Sequence, residues 1–99
     1  MRKIVFSKRS KGQLDALLDY LEVKFSVLVK EKFIVKFDKV VLIIHNNPDT
    51  FRKSEVNGRI RRCVVSKQTT LYYKYNTNEI RLLALFDTRQ SPNKINKIK

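Results

Sequence analysis

The apolar residues of this chain change their period once, near Pro48, and that single change limits what the chain can fold into. Between Leu14 and Ile44 they recur every three or four positions, the repeat of a helix with one buried face. Beyond Arg59 they recur every second position, the repeat of a strand. A chain patterned in this way is expected to be α+β, with a helical hairpin ahead of an antiparallel meander. Its 99 residues are expected to form one domain, since a chain below about 150 residues rarely supports two cores.

Residues 2–7 read as a short strand, because Ile4, Val5 and Phe6 are β-formers stopped by the polar Ser7-Lys8-Arg9. Ser10-Lys11-Gly12-Gln13 has the spacing of a capping box and predicts a helix starting there, with Leu14, Leu17, Leu18, Leu21 and Phe25 on its apolar face. The pattern restarts near Ser26. Val29, Phe33, Phe37, Val40, Val41 and Ile44 form a second helical stripe that ends before Asn46-Asn47-Pro48. The β-branched stretch 39–44 would also suit a strand, but the spacing runs unbroken through Phe33 and Phe37, so helix is preferred.

Three strands are then predicted, over 59–66, 69–75 and 79–86, joined by turns at Lys67-Gln68 and Asn76-Thr77-Asn78. Strict alternation places Arg59 and Arg61 on one face and Ile60, Arg62 and Val64 on the other. The middle strand alternates Leu71, Tyr73 and Tyr75 with Thr70, Tyr72 and Lys74. In the last strand, Ile80, Leu82, Ala84 and Phe86 share one face, leaving Arg81, Leu83 and Leu85 on the other. Residues 90–99 read as a basic tail carrying Lys94, Lys97 and Lys99.

Charge narrows the partners. The 22 Lys and Arg against 9 Asp and Glu leave a net charge of +13, which favours a phosphate backbone, an anionic surface or an acidic protein. Ten basic and six acidic groups give +4 over residues 1–51, whereas twelve basic and three acidic give +9 over 52–99, so the excess is C-terminal. The apolar run after Met1-Arg2-Lys3 is too short for a signal-peptide core, and no stretch nears the roughly 18 to 20 apolar residues of a membrane span. Cys63 has no disulfide partner in the chain and reads as a small core hydrophobe. The expected location is the cytoplasm, with no membrane contact.

The residue inventory excludes most enzyme chemistry. One His and one Cys are too few for a zinc site, and Gly12 and Gly58 cannot build a phosphate-binding loop. His45 sits at a helix end, where a solvated or dipole-facing imidazole is the ordinary reading. No metal or cofactor is expected. What remains is a set of cations on or beside the strands, Arg59, Arg61, Arg62, Lys67, Lys74, Arg81 and Arg89, with Tyr72 among them. That mixture suits pairing with phosphates and stacking on bases, or equally a solvated sheet face.

The order strand, helical hairpin and meander resembles the RelE/ParE toxin superfamily over nearly the whole chain. The most specific stretches are Arg61-Arg62-Cys63-Val64-Val65, Leu71-Tyr72-Tyr73-Lys74-Tyr75, and 80–92, where a hydrophobic strand runs into Asp87-Thr88-Arg89-Gln90-Ser91-Pro92. The last is similar to the ParE-like members often called plasmid stabilisation proteins. The resemblance implies a toxin of a type II toxin–antitoxin pair, bound by a cognate antitoxin through an acidic C-terminal segment steered by charge.

Two branches of that superfamily differ in mechanism. RelE-like members cut ribosome-bound mRNA with Lys, Arg and sometimes Tyr, whereas ParE-like members block DNA gyrase. Arg89 matches the nuclease branch's arginine after the last strand. Thr70 stands where that branch has an arginine, and Ile95 falls near the expected tyrosine. The departure favours the gyrase branch, with Arg59, Arg61, Tyr72, Lys74, Arg89 and Lys94 as candidate target or antitoxin contacts. The alternative, an mRNA endoribonuclease, would rest on Arg62, Lys67, Arg81 and Arg89. A non-catalytic nucleic-acid-binding module is the further alternative.

Overall fold

The computed structural model describes residues 2–55 and 57–90. Strand β1 (Lys3–Phe6) leads into helices α1 (Lys8–Lys24) and α2 (Val27–Asn46), followed by β2 (Arg61–Val64), β3 (Thr69–Tyr75) and β4 (Glu79–Asp87). The sheet order is β1-β4-β3-β2; β1 runs parallel to β4, and the other pairs are antiparallel. The fold is α+β as expected. Of the expected tail, only Gln90 falls among the described residues.

One sheet face carries the helices. Leu17, Leu21, Phe33, Phe37 and Ile44 pack with Cys63, Leu71, Tyr73, Ile80, Leu82 and Leu85 in the main core. Phe37 stacks between Phe33 and Phe6, with ring centroids 6.1 and 6.3 Å away. Asn47 is kept out of helical angles by the Pro48 that follows it, and this ends α2 one residue later than its pattern suggests. The Pro48 carbonyl accepts the buried Tyr73 hydroxyl at 2.6 Å, tying the end of α2 to the middle of the sheet.

The helix start corrects the capping-box reading. Ser7, not Ser10, is the N-cap, and its Oγ accepts from the Ser10 backbone N–H at 3.0 Å. Ser10 and Gln13 instead serve β4, which outruns β1 past Leu82 and leaves backbone groups without a strand neighbour. The Ser10 hydroxyl donates to the Leu82 carbonyl at 2.7 Å, the Ser7 hydroxyl donates to the Leu83 carbonyl at 2.9 Å, and Gln13 Oε1 accepts the Leu85 N–H at 2.8 Å. Three side chains of the first helical turns thus continue the ladder that β1 begins. Ser7→Ala, which loses the cap and the Leu83 bond together, is expected to cost about 1–2 kcal/mol in chemical denaturation.

A second correction lies in β4. Tyr72 pairs with Ala84 but Tyr73 pairs with Leu82, so Leu83 is an extra residue, a β-bulge that reverses the alternation. Ile80, Leu82 and Leu85 consequently face the helices, while Ala84 and Phe86 join Tyr72 and Ile60 on the opposite face. The predicted first meander strand, 59–66, is also shorter, because Arg59 and Ile60 close the turn that begins at Asn57 and Ser66 belongs to the turn into β3. Alongside it, residues 52–54 add backbone bonds from Arg62 N–H to Arg52 and from Ser54 N–H to Ile60.

Candidate functional site: a cationic cleft between hairpin and sheet

The end of β4 holds a charged network. Asp87 is almost fully buried, and its carboxylate takes the Thr69 hydroxyl at 2.6 Å and a two-pronged pair from Arg89, Nε at 3.0 Å and Nη2 at 2.7 Å. The Arg89 backbone N–H adds a fourth bond at 2.9 Å. Burial pushes the Asp87 carboxyl up, but the Arg89 guanidinium and the Thr69 hydroxyl outweigh it and hold the group below its ordinary range. The same carboxylate keeps Arg89 firmly protonated.

Arg89 sits on the helix side of the sheet. Its guanidinium lies 5.8 Å from the centre of the Phe25 ring, and its carbonyl accepts the Tyr20 hydroxyl at 3.1 Å, so two residues of the α1 end hold it from above. Beside it opens a cleft of about 180 Å³ lined by Leu21, Val29, Lys32, Phe33, Lys36, Ser66, Gln68 and Arg89. Lys32 and Lys36 are one turn apart on α2 and flank Phe33, while Ser66 and Gln68 come from the β2–β3 turn. The result is an apolar floor with two lysines and the Asp87-paired Arg89 at its rim. Such a site suits an acidic group carried on an apolar segment.

The other sequence candidates do not gather here. Arg61 turns towards the loop after α2, donating to the Phe51 carbonyl at 2.8 Å and pairing with Asp49 at 3.0 Å. Its guanidinium and that of Arg2 both lie against the Tyr75 ring, whose hydroxyl bonds Asp49. Arg62 faces the opposite side of the sheet with Tyr72, and its Nε has no hydrogen-bond partner. Arg81 pairs with Glu79 at 3.0 Å and lies beside the exposed Lys74, three residues along β4 from Ala84 and hence about 10 Å away. Tyr72 is 3% exposed, edge-on to Phe86, and offers almost no surface to a partner.

Arg59 and Lys67 are exposed turn residues, and Lys94 lies outside the described residues. His45 Nε2 donates to the Arg2 carbonyl at 2.9 Å, well away from the cleft. Of the four residues considered for phosphate chemistry, Arg62 and Arg81 are on one face of the sheet and Arg89 is on the other, locked to Asp87. Sequence reading missed Lys32, Lys36 and Asp87. The four-residue spacing of the two lysines around Phe33 was the available signal, but it was overshadowed by the apolar stripe between them.

The family model for the ParE toxin of type II toxin–antitoxin systems, parDE, matches residues 4–92. The chain belongs to the ParE toxin family. The ParE assignment covers every described strand and helix except the first residue of β1. Among solved structures, the fold resembles the chromosomal ParDE toxin–antitoxin system of P. aeruginosa, with TM-score 0.73 and 18% identity over 88% of this chain and 96% of that one. It also resembles the E. coli DinJ-YafQ complex, with TM-score 0.63 and 12% identity over 92% and 98% of the two chains. The YoeB/ParE toxin from Agrobacterium tumefaciens superposes with TM-score 0.62 at 6% identity, over 88% and 98%. No curated protein matched.

Proposed function

We propose that this ParE-family toxin arrests growth by binding DNA gyrase through protein–protein contact at the cationic cleft, without cutting nucleic acid. The observation that carries this reading is the state of Arg89. The one arginine that matches the nuclease branch is spent in a two-pronged pair with buried Asp87 and is separated by the sheet from Arg62 and Arg81. Cleavage of a phosphodiester needs a base, an acid and a phosphate clamp around one atom. The cleft instead presents Lys32 and Lys36 around Leu21, Val29 and Phe33, beside the neutralised Arg89–Asp87 pair, a combination that suits an acidic, partly apolar protein surface.

The same cleft accepts the acidic C-terminal segment of the cognate antitoxin, which neutralises the toxin by occupying it. Both partners are cytoplasmic. Among the described residues, no helix is long and apolar enough to cross a membrane.

The test is induction in cells lacking the antitoxin, followed by primer extension on a reporter mRNA and recovery of gyrase–DNA complexes. The expected result is intact mRNA, stalled gyrase complexes and a DNA-damage response. Discrete cuts in translated codons would replace this reading with the endoribonuclease one, and unimpaired growth would leave a nucleic-acid-binding module. Lys36→Glu, at an exposed position, is expected to weaken target binding by about 2 kcal/mol, roughly thirty-fold, while leaving the melting temperature unchanged.

A further inference from the structure

Helix α2 presents a second apolar face away from the core. Leu28, Val35 and Leu42 are 60%, 65% and 59% exposed, and Val27 and Ile43 flank the ends of the same stripe. At 100° per residue, positions seven apart stay within about 20° of one another, so the three residues form a line roughly 21 Å long. Phe33, Phe37 and Ile44 occupy the opposite side of the helix and are buried. Four charges border the line: Glu31 and Asp38 along one flank, Lys32 and Lys39 along the other. None of the four is ion-paired within the chain among the described residues. On a molecule of net charge +13 this strip is locally neutral.

We infer that this strip is a self-association surface, on which α2 packs parallel to α2 of a second copy about a two-fold axis running along the helices. Charge complementarity selects both the occupant and the direction. In the parallel arrangement, the two-fold axis brings the acidic flank of one helix against the basic flank of the other. Glu31 then meets Lys32 of the second copy and Asp38 meets Lys39, each one residue apart in height, and symmetry repeats both pairs. An antiparallel arrangement would set Glu31 beside Asp38 on one flank and the lysines together on the other, four like-charge contacts that oppose it. Another strongly basic surface would be repelled, whereas this neutral strip matches itself, with Leu28, Val35 and Leu42 stacked on their own copies across the seam. Lys36 and Arg89 lie off the stripe and keep their side of the cleft accessible in the dimer, whereas Lys32, which also lines the cleft, is shared with the seam.

The test is light scattering on the purified chain over a wide concentration series, expected to show twice the chain mass. Val35→Asp is expected to give a folded monomer whose melting curve no longer depends on concentration, because Val35 has little to lose within the folded chain. Asp38→Lys should weaken association several-fold, and Asp38→Lys with Lys39→Asp should restore it by exchanging the pair. Leu28→Cys should cross-link to itself under mild oxidation, as only parallel helices bring residue 28 to residue 28; the buried native Cys63 does not interfere. A monomer at every concentration overturns the inference, as does a dimer that survives Val35→Asp. Strengthening by Asp38→Lys would mean antiparallel packing and equally overturn it.

Discussion

Between pH 9 and 12 the folded chain is expected to lose several kcal/mol of stability and to unfold. Two fully buried acids cause this. Burial pushes the Cys63 thiol from 9.0 to about 12. It also pushes the Tyr73 hydroxyl from 10.0 to about 12, partly offset by nearby Arg61. Both folded values are raised, so the unfolded chain releases its protons first. The contribution is complete below the unfolded values and is lost as pH rises through about 9 to 12. Each group costs about 1.4 kcal/mol per pH unit within its window, against a total of roughly 5–15 kcal/mol for a domain. Thermal melts across this range, followed by circular dichroism, give the measurement. Cys63→Ala should remove the part of the slope that begins near 9 and leave the part that begins near 10. An identical profile in that variant would mean the thiol is not sealed from water.

Arg89→Ala is expected to destabilise the fold by about 3 kcal/mol, because it strands the buried Asp87 carboxylate with only Thr69 and a backbone N–H as donors. The Asp87 carboxyl would then rise above its ordinary range. In the native chain its value is depressed, so its contribution is present above the usual carboxylate range and lost as pH falls through the depressed value. The acid limb of the stability curve should therefore move to higher pH in Arg89→Ala. Loss of toxicity in this variant would not identify Arg89 as a contact, since the folded population falls as well. The informative comparison is with Lys36→Glu, which changes the cleft but not the network beneath it. If Arg89→Ala melted like the native chain, the Asp87 pair would be a surface contact of little weight.

The helical hairpin was legible in the sequence because Phe33, Phe37 and Ile44 keep a helical period through a β-branched stretch, and burial rewards that period directly. Strand β3 was legible because the turn at Lys67-Gln68 and the aromatic run from Leu71 to Tyr75 agree on its limits. The start of α1 was misread for a physical reason. Ser10 and Gln13 have the composition of a cap, but the unpaired end of β4 claims both, and a sequence does not reveal which backbone groups lie 72 residues away.

The bulge at Leu83 was hidden in the same way. Nothing local marks it, and two apolar neighbours, Ala84 and Leu85, fit either face of the sheet. The cleft was the least legible feature. Lys32 and Lys36 belong to a helix read for its core, Asp87 was read as part of a turn, and they meet only because the hairpin closes over the end of β4.

The parallel pairing of β1 with β4 has a consequence for how the toxin comes into being. Lys3 through Phe6 find their partners only at Glu79 through Leu82, and Ser7 and Gln13 find theirs at Leu83 and Leu85. During synthesis the first strand must therefore wait, unsheltered, until nearly the last strand has left the ribosome. The hairpin can form early from local contacts, but the sheet that supports it closes only with the arrival of β4. A chain interrupted anywhere before residue 79 leaves the first strand without its template, so the four-stranded sheet cannot close.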